Sequence, residues 1–271
     1  MYVLLLGHTE RMGEGAQDYA FPHRAGDESR RLELLEQHLD PMTVRRIERL
    51  RVVDNARCLE IGAGRGSVAA WLAQRFQPDG HVMATDLQTD LVSSLNSPNL
   101  TVQRHDVRVD DFPEGSFDLV HLRAVLMHIE NRMATLRRIV SWIAPGGWLL
   151  VEELDFGMWQ CDADPIWSAH PRSWHEAFPH GSMSTGRLLL RQIHQLGLEE
   201  VGADGDLDIV VPGTPLAEFY RLSMVALAEP SMVAGVLTPP EAAALVSRPT
   251  EPDFLGCGFA NIGAWGQRPI Q

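Results

Sequence analysis

Between residues 58 and 66 the chain reads Cys58-Leu59-Glu60-Ile61-Gly62-Ala63-Gly64-Arg65-Gly66, an apolar run that breaks into alternating glycines. Glycines at this spacing permit a tight turn, let a ligand approach the backbone, and open on a helix from Ser67 whose first N–H groups can receive a carboxylate. A plain strand-to-helix turn would look the same, so the chemistry depends on what lies beside it. Asp86 ends the next apolar run, Met83-Ala84-Thr85-Asp86-Leu87, 20 residues after Gly66. A carboxylate there can bind the hydroxyls of a ribose. His105-Asp106-Val107 follows a third run and offers a carboxylate to an adenine amino group with an apolar neighbour for the ring, although Asp106 alone would equally serve a turn. Nicotinamide sites share the ribose acid, but in their fingerprint the third glycine follows the second by three residues. Here Gly66 follows Gly64 by two.

The elements that must position these residues alternate. Compact apolar runs at Arg57–Ile61, His81–Thr85, Leu100–Arg104, Phe117–Leu122 and Trp148–Glu152 read as strands. Helix-like stretches lie between them at Ser67–Phe76, Gln88–Leu95, Ala124–His128 and Met133–Ile143. This alternation predicts parallel βαβ units, an α/β fold. Upstream, residues 27–52 read as two helices interrupted at Asp40-Pro41. Residues 156–185 are rich in Trp, His, Pro and Asp with little periodicity and read as a cap insertion. Gly186–Gln195 predicts a helix, Glu199–Val211 a strand, Pro215–Ser247 helix, and Phe254–Gln267 a last strand. The expected organisation is an N-terminal helical segment (1–56), a core (57–155), the insertion (156–185), a core continuation (186–211), a helical cap (212–250) and a last core strand (251–271).

A chain of 271 residues with 45% hydrophobic residues can bury a full core. Its longest apolar runs, such as Val3–Leu6 and Trp148–Val151, fall far short of the roughly 20 residues that span a bilayer, so no membrane span is expected. No signal peptide is expected either, because the start lacks basic residues and Glu10 and Arg11 follow a short apolar stretch. Cys58, Cys161 and Cys257 match no zinc or disulfide framework, which fits a cytoplasmic protein. A net charge of −13 disfavours a nucleic-acid partner. Arg45, Arg46, Arg49 and Arg51 cluster, but Glu48 and Asp54 interleave with them, which reads as a solvated helix face.

Taken with Gly115-Ser116-Phe117-Asp118-Leu119-Val120-His121 and Ile143-Ala144-Pro145-Gly146-Gly147-Trp148-Leu149-Leu150-Val151-Glu152, the ordered series resembles the class I methyltransferases that use S-adenosylmethionine (SAM). The likeness is to small-molecule enzymes of bacterial biosynthesis and to the quinone-biosynthesis C-methyltransferase type. It is strongest over residues 57–153 and looser over 186–211 and 254–269. It implies a Rossmann-like αβα sandwich with a seven-stranded, mostly parallel sheet, an antiparallel last strand and a helical cap. It also implies that Glu60, Gly62, Ala63, Gly64 and Gly66 form the site for the amino-acid end of SAM. Asp86 would hold the ribose, Leu87 would flank the adenine, Asp106 and Val107 would hold its edge, and the backbone at His121 would meet the methionine part. The segment Asp18-Tyr19-Ala20, with Glu28 and Arg31-Leu32, resembles the piece that closes over SAM in relatives. Tyr19 would equally serve as a packed aromatic and Arg31 as a solvated charge.

The acceptor is less legible. Methyl transfer from SAM is an in-line displacement that needs alignment and dryness more than a base. A phenol or protonated amine would gain from a general base, for which histidine is suited. Candidates are His128 after the fourth strand and His170, His175 and His180 in the insertion, each of which could instead be packed or solvent-exposed. Trp159, Trp167, Trp174 and Phe178 could line an acceptor pocket or form a small cap core. Glu152, Glu153 and Asp155 end the fifth strand. They suggest a divalent metal less than they might, because His121-Leu122-Arg123 stands where metal-dependent relatives have an acid; no metal is expected, and Asp155 remains a candidate for orienting the acceptor. The expected partner is a small-molecule acceptor, with homo-oligomerisation open. A peptide or protein acceptor, a nicotinamide oxidoreductase and a non-catalytic SAM-binding protein are the alternatives.

Overall fold

The structure is a computed structural model that describes residues 25–159, 164–168, 171 and 184–270. Seven strands form one sheet in the order β3-β2-β1-β4-β5-β7-β6. They are β1 (Arg57–Ile61), β2 (His81–Asp86), β3 (Leu100–Arg104), β4 (Phe117–Arg123), β5 (Ile143–Asp155), β6 (Glu199–Val210) and β7 (Gly256–Gln267). Strands β1 to β5 pair in parallel, and β7 runs antiparallel to both β5 and β6. This is the Rossmann-like sheet with a reversed last strand that the family resemblance implies. Parallel strands covered on both faces read as continuous apolar runs, and β1 and β4 are buried along nearly their whole length.

The helices are α1 (Ala25–Arg49), α2 (Ser67–Arg75), α3 (Arg132–Trp142), α4 (Thr185–His194), α5 (Pro215–Val233) and α6 (Pro239–Ser247), with a 3₁₀ turn at Leu126–His128. Two expectations change. Residues 27–52 were expected to break at Pro41, yet α1 runs through it as one helix. A proline removes one backbone bond, but Leu39 and Thr43 on either side are both fully buried, so packing overrides the break. Residues 88–95, expected to be helical, form turns. There Ser93 Oγ donates to Asp90 O and Ser94 Oγ to Leu91 O, local bonds that compete with a helix.

One core packs around the central strands and α3, and a second packs beneath α2. A third, aromatic core lies where α1 and α5 meet β5, β6 and β7. In it Trp159 and Trp167 lie 4.8 Å apart and pack against Tyr220 of α5, with Phe156, Phe219, Phe254 and Phe259 around them and Leu34 and Leu39 of α1 joining in. Of the two uses open to Trp159 and Trp167, the structure shows packing in a small aromatic core. Trp174 and Phe178 lie outside the described residues. Among the described residues no helix is long and apolar enough to cross a membrane.

Candidate functional site

The glycine loop leaves β1 at its C-terminal end and delivers the chain into α2. Gly62, Gly64 and Gly66 all have positive φ, at 70°, 57° and 86°. A side chain at Gly62 would bring its Cβ to 2.4 Å from Val125 Cγ2, whereas at Gly64 it would meet nothing within 4 Å. Gly64 therefore presents bare backbone to open space, a cradle that a ligand can fill. Ala63 N donates to Thr85 O at 2.9 Å, tying the loop to the end of β2.

Asp86 is fixed from two sides. Gly64 N donates to its Oδ2 at 2.9 Å and Gln88 N to its Oδ1 at 3.0 Å. The half-buried carboxylate thus faces the loop with lone pairs to spare, the arrangement a ribose diol needs. Leu87 beside it is 39% exposed, an apolar surface left open at the strand ends. Asp106 caps its own turn: Arg108 donates to it from backbone N and from Nε, both at 2.9 Å, and that guanidinium holds the carboxyl below its usual range. Val107 is buried in the central core.

Glu60 and His121 face each other across β1 and β4, whose register pairs them directly. His121 Nδ1 lies 2.6 Å from Glu60 Oε2, and Nε2 lies 3.0 Å from Glu152 Oε2. Glu152 also receives Arg46 and Thr43 of α1. Arg46 in turn donates to Asp204 at 2.6 Å, to Asp206 at 3.0 Å and to Asn261 O at 3.2 Å. The solvated-face expectation fails for Arg46, whose side chain is fully buried, and holds for Arg45 and Arg49, whose side chains are about half exposed. The signal was available in spacing, because Leu39, Thr43, Arg46, Ile47 and Leu50 fall on one helical stripe. Gly263 admits Arg46, since a Cβ there would lie 2.4 Å from its Nε.

The acids at the end of β5 diverge. Glu153 accepts from the N–H groups of Val125, Leu126 and Met127 at 3.0, 2.6 and 3.2 Å, and so holds the 3₁₀ turn that carries His128. Burial pushes its carboxyl up to about 8 against those three donors. Asp155 accepts from Gly157 N, Arg187 N and the Arg187 guanidinium, whose pull outweighs burial and lowers its pKa. Each of the three acids thus has its own partners, and they form no common ligand cluster. His128 is half-buried, and burial with nearby Arg31 holds it neutral down to about pH 4. Arg31 is buried, its guanidinium 5.8 Å over the Phe219 ring. Tyr19, His170, His175 and His180 lie outside the described residues.

Residues 30–202 match the family described as "Methyltransferase domain". With its sheet order and glycine loop, the chain belongs to that family, the class I SAM-dependent methyltransferases. Two Strobilurus tenacellus proteins, methyltransferases str3 and str2, are 46% identical over 99 residues and 40% over 100 residues. Each match covers 36% of this chain and 35% of the relative, so the chain spans about a third of the length of these relatives. Phosphoethanolamine N-methyltransferase 1 of Arabidopsis thaliana is 26% identical over 113 residues, 40% of this chain and 23% of that protein. In fold the chain is similar to Haemonchus contortus phosphoethanolamine N-methyltransferase 2, solved with phosphomonomethylethanolamine and S-adenosylhomocysteine. That likeness has a TM-score of 0.60 at 16% identity, over 91% of this chain and 59% of that one.

Proposed function

We propose that the chain transfers a methyl group from SAM to a small-molecule acceptor by in-line displacement. The observation that carries this is the Asp86 carboxylate, held by Gly64 N and Gln88 N beside a bare-backbone cradle at the strand ends. SAM supplies an already activated methyl group on a sulfonium. The chain's work is then to bind, align and exclude water. Gly62–Gly66 with the N-terminus of α2 receives the amino-acid end, Asp86 the ribose, and Leu87, Asp106 and Val107 the adenine. Arg31 and the backbone at His121 are further candidates for contact with this end, and so, by the sequence resemblance, is Tyr19.

The aromatic core and the Glu153-held turn carrying His128 form the acceptor side. His128 stays in its basic form at neutral pH, but a histidine with a pKa of about 4 gains little driving force as a proton acceptor, so it orients more than it deprotonates. Asp155 supports the same side through Arg187, and His175 is a further candidate from the sequence for handling the acceptor. A small acceptor is favoured by the net charge of −13, which disfavours nucleic acid, and by relatives named for phosphoethanolamine. A cytoplasmic location fits the three scattered cysteines. The test is a transfer assay with methyl-labelled SAM on fractionated extract of the source cells. Label in the small-molecule fraction is expected; label in protein alone would contradict the acceptor class.

A further inference from the structure

Two carboxylates flank one imidazole in the interior. The side chains of His121, Glu152 and Arg46 are 0% exposed, and that of Glu60 is 4% exposed. Ionised carboxylates have no hydrogen to give, so contacts at both ring nitrogens require a proton on each. Charge balance asks for the same state, because Arg46 is shared among Glu152, Asp204 and Asp206 and Arg123 bonds Asp40, while the group bonded to the Glu60 carboxylate is the imidazole, in a region where an unpaired charge is costly. The groups facing the ring are Glu60 on β1 and Glu152 on β5, with Thr43 and Arg46 of α1 and Arg123 of β4 behind Glu152. Glu60 lies two residues before Gly62, so whatever fixes its carboxylate also fixes the base of the glycine loop.

We propose that His121 is a positioning residue of the donor site. As a cation bonded to both Glu60 and Glu152, it clamps the root of the glycine loop to β5 and, through Arg46, to α1. This rests on the donor-site reading above and adds to it that the His121 side chain acts through Glu60 and does not touch the donor. Burial opposes charge on the ring, but the two carboxylates prevail and raise its pKa to about 9.

Calorimetric titration with SAM of the wild-type chain, His121→Gln, Glu60→Gln and the double variant tests the clamp. His121→Gln leaves Glu60 unneutralised and is expected to weaken SAM binding about tenfold, and the double variant is expected to bind about as well as Glu60→Gln alone. Unchanged affinity in His121→Gln, or losses that multiply in the double variant, would overturn the clamp. ¹⁵N shifts of the imidazole in the wild-type chain at pH 7.5 provide a readout free of folding defects in the variants. Protonation of both nitrogens is expected, and a neutral tautomer would overturn it. A wild-type chain that fails to bind SAM defeats the donor-site reading itself, whereas multiplying losses in a chain that binds defeat only the clamp.

Discussion

Replacing Arg46 by methionine keeps a long unbranched stem and removes the charge that ties α1 to the sheet. Arg46 is fully buried and bonded to Glu152, Asp204, Asp206 and Asn261 O. Removing one partner of a buried pair costs about 3–5 kcal/mol. The lower end applies here, because Asp204 and Asp206 are 26% and 28% exposed and can rehydrate, and Glu152 keeps His121 and Thr43. At roughly 2–4 °C per kcal/mol for a chain of this size, a loss of about 3 kcal/mol lowers Tm by about 6–12 °C. Arg49→Met is the control: its side chain is 58% exposed and its pair with Asp204 at 2.9 Å is worth about 0–1 kcal/mol. Paired thermal and urea melts read the difference, and Arg46→Met/Glu152→Gln should recover part of the loss by removing the stranded charge. If Arg46→Met melts within a degree or two of Arg49→Met, buried pairing does not anchor α1 and the reasoning is wrong.

Gly62→Ala forces a Cβ against Val125 at φ 70°, costing about 1–2 kcal/mol in backbone and about 1–3 kcal/mol in overpacking, while Gly64→Ala meets open space and bears only the first cost. Melting curves should therefore separate the two, with Gly62→Ala lower; equal values would count against the loop geometry. The pH dependence of stability follows from three buried groups. His121, raised to about 9, contributes stability that is complete below its ordinary 6.5 and lost as pH rises through 9. Glu153, raised to about 8, contributes in the same sense from 4.5 upward. Glu152, lowered to about 2 by its bonds to His121 against the opposing effect of burial, contributes stability present above 4.5 and lost towards pH 2. Tm should peak near pH 5–6 and fall towards pH 9, and Glu153→Gln should flatten the alkaline fall; a Tm that rises from pH 6 to 9 would refute these assignments.

Most of the sheet was legible because buried parallel strands announce themselves as apolar runs between turns. Arg57–Ile61 and Leu100–Arg104 match their strands, and Glu199–Val211 overshoots by one residue. The meeting of the glycine loop with Asp86 was legible because glycine spacing and a carboxylate 20 residues on are local patterns. What escaped was long-range. Glu60, His121 and Glu152 lie 61 and 31 residues apart and meet only through strand register, and Arg46 reaches them from α1. A polar residue within each of three apolar strands, the first, fourth and fifth of the chain, was the available sign, since such residues are buried only when partnered. The unbroken α1 was missed because local proline preference yields to burial on both sides of Pro41.

The most direct test of the donor site is calorimetric titration of the wild-type chain and Asp86→Ala with SAM, alongside NADH. The wild-type chain should bind SAM and not NADH, and Asp86→Ala should bind SAM on the order of 100-fold more weakly, through loss of charge-assisted hydrogen bonds to the ribose. Preference for NADH, or an Asp86→Ala variant that binds SAM as tightly as the wild type, would contradict it.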